Sequence, residues 1–324
     1  MTQLGKCIAV HRDCWEILSS GKKYRAIINN KYENIVYPVV GDVVSIHIDL
    51  KNQSCIILDI QPRTTELYRN KDGHKKTIAA NIDVVFITTS MNKEFNVGKL
   101  ERLLIMVNQS GAKPCFVLTK ADICTNPNIY IEQIKRHFST VPYVVTSSLN
   151  EQSIELLKTM WNPGETAIFV GSSGVGKTTL INTLLGYQVG KVYEVREKDD
   201  KGRHTTTSSI YLELPDGRKL IDSPGIRSVG LLNLDFKDIN EVFSFISENE
   251  KMCQYKNCTH TNENGCRIIE LLNEGIIDED DYRRYLKMKR QILYDAQKSG
   301  IDNRADWEKR RDLLQKKKKY RKRR

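Results

Sequence analysis

Residues Gly171-Ser172-Ser173-Gly174-Val175-Gly176-Lys177-Thr178 match G-x-x-x-x-G-K-[ST], the pattern of a phosphate-binding loop. The loop works only between a strand and a helix, so it constrains the fold around it. Residues 167–170 read as a short apolar strand, and residues 179–185 as a helix ending at Gly186. That arrangement aims backbone N–H groups, a lysine and a helix N-terminus at one anion. Lys177 is placed to reach the outer phosphates and the Thr178 hydroxyl to ligate Mg²⁺, with Thr179 closing the segment. The alternative is a glycine-rich turn that matches by chance, which the flanking strand and helix argue against.

The stretch before the loop alternates in type. Residues 82–88, 114–118 and 141–145 read as buried strands, and 100–107, 129–138 and 154–161 as helices. Alternation of this kind predicts an α/β domain with a parallel sheet covered on both faces, its ligands at the carboxyl ends of the strands. Residues 1–68 read differently. Five short β-branched strands separated by turn signals predict an OB-like β-barrel. Such a barrel binds oligonucleotide, docks on protein or is purely structural, and the sequence leaves these open. Residues 62–69 read as a linker into the second domain, residues 69–233. From residue 234 to 324 the chain turns helical and polar.

Composition narrows the function. The 324 residues suit two or three domains, and a net charge of +11 favours a polyanionic partner, nucleic acid first. No apolar run has the length of a membrane span, and residues 1–14 lack the plan of a signal peptide, so a cytoplasmic protein is expected. Five of the eight cysteines are scattered. The other three form Cys253-x4-Cys258-x-His260-x5-Cys266. Three thiolates and an imidazole this close suit one tetrahedral Zn²⁺ in a structural site, with no position left open for catalysis.

Two further stretches follow predicted strands. Thr119-Lys120-Ala121-Asp122 resembles the guanine-reading motif Asn/Thr-Lys-x-Asp, whose carboxylate accepts from N1–H and the N2 amine of guanine. Adenine would leave that carboxylate unpaired. Thr146-Ser147-Ser148-Leu149 resembles the loop whose backbone N–H supports guanine O6. After the phosphate loop comes Asp222-Ser223-Pro224-Gly225, where Asp-x-x-Gly places a carboxylate near Mg²⁺ and the Gly225 N–H near the terminal phosphate.

The order is base motif, base loop, phosphate loop, switch threonines, then Asp-x-x-Gly. Ordinary GTPases begin with the phosphate loop, so the chain resembles the circularly permuted GTPases. With its barrel, its Gly202-Arg203-His204-Thr205-Thr206-Thr207 stretch and its cysteine cluster, it resembles the ribosome small-subunit-dependent GTPases of the RsgA (YjeQ) type. The resemblance covers nearly the whole chain. It implies a monomeric GTP hydrolase that assists late assembly of the small ribosomal subunit and contacts its rRNA, with GTP or GDP, Mg²⁺ and one Zn²⁺ bound. Thr206 would help Thr178 and Asp222 organise Mg²⁺. Ile226 stands where many GTPases carry a water-orienting Gln, and the resemblance points to His204 as its replacement; packing or RNA contact is the other role open to His204. Thr119 stands where Asn is more usual, which predicts weaker base affinity. An ATPase, or an RNA-binding protein that uses nucleotide only as a switch ligand, are the rival readings.

Overall fold

The structure, a computed structural model, describes residues 2–11, 14–28, 36–49, 52–71, 74–188, 209–223 and 236–298. The chain divides into two compact units, residues 1–232 and 233–324.

The first unit opens with a closed barrel of β1 (Thr2–Val10), β2 (Trp15–Ser19), β3 (Lys22–Ile28), β4 (Val43–Asp49) and β5 (Ser54–Ile60). The order is β1-β2-β3-β5-β4, with β4 returning to β1 and β3 parallel to β5. Period-2 alternation sends Ile17, Tyr24, Ala26, Val44 and Ile46 inward, where they are buried. These are the five strands that the sequence predicts, with ends moved by up to three residues.

The expected linker at residues 62–69 is instead the entry to a hairpin, β6 (Glu66–Lys71) and β7 (His74–Ala80). Its polar residues hide the alternation that reveals the barrel. They serve an ion-pair cluster. Both oxygens of the fully buried Asp42 accept from Arg63, at 2.8 Å each, and Arg63 also donates to Glu66 at 2.8 Å. Gly41 packs against β7. Its φ of +94° suits glycine, and a Cβ there would lie 2.1 Å from the Ala80 carbonyl oxygen.

The α/β part runs β8 (Val84–Ser90), α1 (Val97–Ser110), β9 (Lys113–Thr119), α2 (Pro127–His137), β10 (Tyr143–Val145), α3 (Glu151–Lys158), β11 (Thr166–Val170), α4 (Lys177–Leu185), β12 (Ile210–Glu213) and β13 (Lys219–Asp222). The sheet order is β10-β9-β8-β11-β13-β12, parallel except for β12. β8 and β11 are buried at every residue, as central parallel strands with both faces covered must be. Phe86 of β8 stacks on Phe169 of β11 at 4.9 Å and meets Trp161 edge-on at 5.1 Å. Full burial of each such ring contributes about 1.5–3 kcal/mol. Ala9 of β1 pairs with Ile210 of β12, so barrel and α/β sheet are continuous. Residues 68 and 69, the expected boundary, lie inside β6.

The second unit holds α5 (Phe236–Val242), α6 (Ser244–Glu250), α7 (Arg267–Asn273) and α8 (Glu279–Lys298). The cysteine loop joins α6 to α7. Tyr285 and Ile268 are fully buried here, with Leu271 almost so. Among the described residues no helix is long and apolar enough to cross a membrane.

Candidate nucleotide and metal sites

Strand β11 delivers the phosphate loop to the carboxyl edge of the sheet. Gly171 has φ +144° and sits so close to β8 that a Cβ would lie 2.2 Å from the Thr88 carbonyl oxygen. That contact presses the start of the loop, Gly171-Ser172, onto the neighbouring strand. Ser173 and Gly174 at its crest are exposed, while Val175 is buried beneath. Gly176 is the N-cap of α4 and supplies no side-chain cap, so the first turn of the helix, at Lys177, Thr178 and Thr179, presents its N–H groups toward the loop, where an anion can meet them. Lys177 Nζ donates to the carbonyls of Gly171 and Ser172, at 2.8 and 2.7 Å. Its ammonium is thus held over the hollow that the loop encloses.

The base motif follows β9. Thr119 is buried, and its hydroxyl lies 2.5 Å from the Val175 carbonyl and 3.2 Å from that of Thr89. Lys120 adopts φ +63°, a left-handed conformation that costs about 1 kcal/mol or more outside glycine and persists only where surroundings enforce it. A short 3-10 turn, Ala121–Ile123, then presents Asp122 to solvent, without a partner among the described residues. The Ala121 N–H donates to the Thr146 carbonyl at 3.2 Å, which ties this loop to the one after β10. There the Ser153 hydroxyl of α3 lies 3.0 Å from both the N–H and the carbonyl oxygen of Ser147. The Ser148 N–H has no partner among the described residues, which leaves it available as a donor.

Asp222 ends β13, opposite Ile210, and is half-buried. Gly225, His204 and Thr206, together with Ile226, lie outside the described residues. The others fall in one line along the sheet edge: Asp222 on β13, the phosphate loop on β11, Thr119–Asp122 on β9 and Ser147–Ser148 on β10. At about 4.8 Å per strand, β11 and β9 run roughly 10 Å apart with β8 between them, and the loops that leave them meet where Thr119 reaches Val175.

In the second unit Cys253, Cys258, His260 and Cys266 bring their donor atoms within 4.8 Å of one another. His260 Nδ1 is 3.5 Å from Cys253 Sγ and 3.3 Å from Cys266 Sγ, and the two sulfurs are 4.0 Å apart. A tetrahedron with Zn–S of about 2.3 Å and Zn–N of about 2.0 Å has edges of roughly 3.5–3.8 Å, so the four donors fit the ion. Burial and the Cys266 and Cys253 sulfurs push the Cys258 thiol up to about 12. A metal cation bound at this thiol would displace its proton and hold it as the thiolate.

Sequence patterns missed what surrounds these donors. Glu263 accepts from the backbone N–H of Thr259, Thr261 and Asn262 at 2.8–3.0 Å and so shapes the ligand loop. Burial opposes its ionisation, but these bonds and the Thr259 hydroxyl hold its carboxyl far below the usual range. Glu250 lies 3.3 Å from His260 Nε2 and accepts from Tyr285 and Lys289. Burial pushes its carboxyl up; hydrogen bonds from His260 and Lys289, with the charge of Lys289, outweigh that and bring it to about 2. The only signal available was the i, i+4 spacing of Tyr285 and Lys289, which places them on one helix face.

Residues 60–232 match the family model described as RsgA GTPase. A small ribosomal subunit biogenesis GTPase RsgA of Methanosarcina acetivorans is 38% identical over 323 residues, spanning 98% of this chain and 87% of that one. A small ribosomal subunit biogenesis GTPase RsgA 2 of Lactiplantibacillus plantarum is 37% identical over 300 residues, 90% of this chain and 84% of that one. Two solved structures share the fold. YjeQ from Thermotoga maritima superposes with a TM-score of 0.67 at 22% identity, over 90% of this chain and 99% of that one. YloQ, described as a circularly permuted GTPase, gives 0.64 at 20% identity, over 90% and 96%.

Proposed function

The chain belongs to the RsgA GTPase family, and from that premise we propose that it hydrolyses GTP in the biogenesis of the small ribosomal subunit. One observation carries the reading at the level of the site. Motifs for metal, phosphate and base are scrambled along the chain, yet they stand in the order in which a guanine nucleotide would meet them along one sheet edge. A chain cut elsewhere in the same sheet yields that result, because the ligand reads the edge and not the connectivity.

Each residue has a role under this reading. The phosphate loop N–H groups, from Gly171 to Thr179, take the phosphate oxygens. Lys177 leaves the carbonyls of Gly171 and Ser172 and neutralises the β- and γ-phosphates. Thr178, Asp222 and Thr206 hold Mg²⁺, which supplies charge neutralisation on the leaving phosphate. Asp122 reads guanine N1–H and N2, the Lys120 stem lies along the base, and the Ser148 N–H donates to O6. Gly225 donates to the γ-phosphate, and His204 positions the attacking water. Cys253, Cys258, His260 and Cys266 hold one Zn²⁺, a cross-link that gives the short loop between α6 and α7 its fold.

The organisation proposed keeps the three parts expected at 1–68, 69–233 and 234–324, with the first boundary moved ahead of β6: an OB-like barrel of β1 to β5, the permuted GTPase from the β6–β7 hairpin to residue 233 and the zinc-binding helical part at 234–324. The net charge of +11 supports rRNA as the surface contacted, by a monomer in the cytoplasm. GTP turnover measured with and without purified small subunits tests the reading, and stimulation by subunits is expected. Tight guanine-nucleotide binding with no turnover in either condition would instead make nucleotide a switch ligand of an RNA-binding protein.

A further inference from the structure

Glu250 ends α6, three residues before the first cysteine of the zinc set, and its carboxylate serves two elements at once. Oε1 lies 3.3 Å from His260 Nε2, the ring nitrogen opposite the one that faces the cysteine sulfurs. Oε2 accepts from the Tyr285 hydroxyl at 2.7 Å, and Lys289 Nζ reaches both oxygens, at 3.1 and 2.9 Å. Tyr285 is fully buried, and Lys289 also lies over its ring at 4.8 Å. Both belong to α8, the twenty-residue helix.

We propose that Glu250 is the positioning carboxylate of the zinc site, and that through it the seating of α8 depends on the metal. This rests on the zinc reading given above. The reasoning is chemical. A histidine binds through Nδ1 only when that nitrogen is unprotonated, which puts its proton on Nε2. A carboxylate facing Nε2 accepts that proton in a hydrogen bond, fixes the tautomer and the ring plane, and makes Nδ1 a stronger donor. His260 needs such help, because its backbone sits at φ +54°, a left-handed conformation uncommon outside glycine. Glu250 could have met this need from a loop. Instead it is shared with Tyr285 and Lys289. When His260 leaves its place, the carboxylate loses one partner and the hydroxyl and ammonium of α8 lose their fixed acceptor. Glu263, which shapes the same loop, bonds within it and, among the described residues, offers no such link.

Zinc release from the full chain to a chromogenic chelator, the visible spectrum after Co²⁺ substitution, and hydrogen exchange over residues 282–292 test this together. Glu250→Ala should release zinc about 10- to 100-fold faster than the parent, with Glu250→Gln between them because its amide oxygen still accepts from Nε2. The Co²⁺ ligand-field bands should shift in Glu250→Ala and return toward the parent in Glu250→Gln, a graded rescue that a purely structural role would not give. In the parent, chelation should raise exchange over 282–292. Should Glu250→Ala prove too unstable to purify, the parent chelation experiment still decides the coupling. Unchanged zinc release in Glu250→Ala, or α8 exchange indifferent to chelation, would overturn the proposal while leaving the zinc site standing. A protein that contains no zinc when purified without chelator would overturn both.

Discussion

The hydroxyl of Thr119, in the base motif, donates to the carbonyl of Val175, in the phosphate loop, at 2.5 Å and across 56 residues of sequence. The two motifs are therefore one hydrogen-bonded assembly before any nucleotide arrives. The sequence reading expects Thr119 to weaken base affinity because an Asn amide is missing. The structure gives the hydroxyl a tie between loops of the kind that amide would make. A hydroxyl has one proton, and the Val175 carbonyl is its nearer acceptor; the Thr89 carbonyl lies 3.2 Å away. Thr119→Val keeps the shape and deletes the tie. It should weaken GDP and GTP alike by about fivefold, the equivalent of ~1 kcal/mol for one buried hydrogen bond. Thr119→Asn should gain little over the parent. Titration calorimetry with GDP checks both.

Base choice isolates Asp122. Its carboxylate is exposed and without a partner among the described residues, so none of these competes with guanine for it. Asp122→Asn should lose most of its affinity for GDP and gain affinity for xanthosine diphosphate, because an amide donates to the extra carbonyl. The same carboxylate rejects adenine, which would leave it unpaired. ATP binding as tight as GTP binding in the parent would remove the guanine assignment.

How much of this was legible in the sequence follows from the range of each interaction. The phosphate loop, the base motif and the Cys₃His set are local: their chemistry fixes residue types at fixed spacings, so a one-dimensional pattern finds them. The barrel was legible because one face of each strand is buried, and burial writes an alternation into Ile17, Tyr24 and Ala26. The β6–β7 hairpin was not, because Arg63, Glu66 and Thr77 bond one another and Asp42 instead of alternating with apolar neighbours. The Thr119–Val175 and Glu250–Tyr285 contacts were illegible for a simpler reason. They join residues 56 and 35 apart, and no local periodicity encodes such a meeting.

The Asp42–Arg63 pair carries a stability prediction. Asp42 has no solvent exposure, while Arg63 is 15% exposed. Removing the guanidinium leaves a buried carboxylate whose one remaining partner among the described residues is the Val39 N–H at 2.8 Å. Breaking one side of such a pair costs about 3–5 kcal/mol. Arg63→Met should lower the unfolding midpoint by several degrees and reduce urea stability by that amount. The double variant Asp42→Asn, Arg63→Met should recover part of the loss, because no charge is then stranded. A double variant no more stable than Arg63→Met would show that the cost lies in lost packing instead.

Hydrolysis tests His204, which lies outside the described residues. Ile226 offers no group to orient water. If His204 supplies it, His204→Ala should bind GTP and GDP as the parent does and turn over about 100-fold more slowly in the presence of small subunits. Single-turnover kinetics with bound GTP separates this from a binding defect. An unchanged stimulated rate would assign His204 to packing or RNA contact.

The basic run from Lys316 to Arg324, also outside the described residues, has eight cationic residues in nine. Such a run repels itself and buries no core, so its value lies in what it meets. Each cation that neutralises an rRNA phosphate releases condensed counterions, and the affinity then falls steeply as salt rises. Deleting residues 316–324 should therefore do two things at once: weaken binding to small subunits and flatten the dependence of log affinity on log salt. GTP affinity of the free protein should not move, because the nucleotide motifs belong to the first unit and the tail does not. Filter binding to purified subunits at several salt concentrations measures both effects. A truncated protein with the parent's affinity and slope would show that the run only adds solubility. Weaker binding with an unchanged slope would place the phosphate contacts elsewhere, on the barrel or the zinc-binding part.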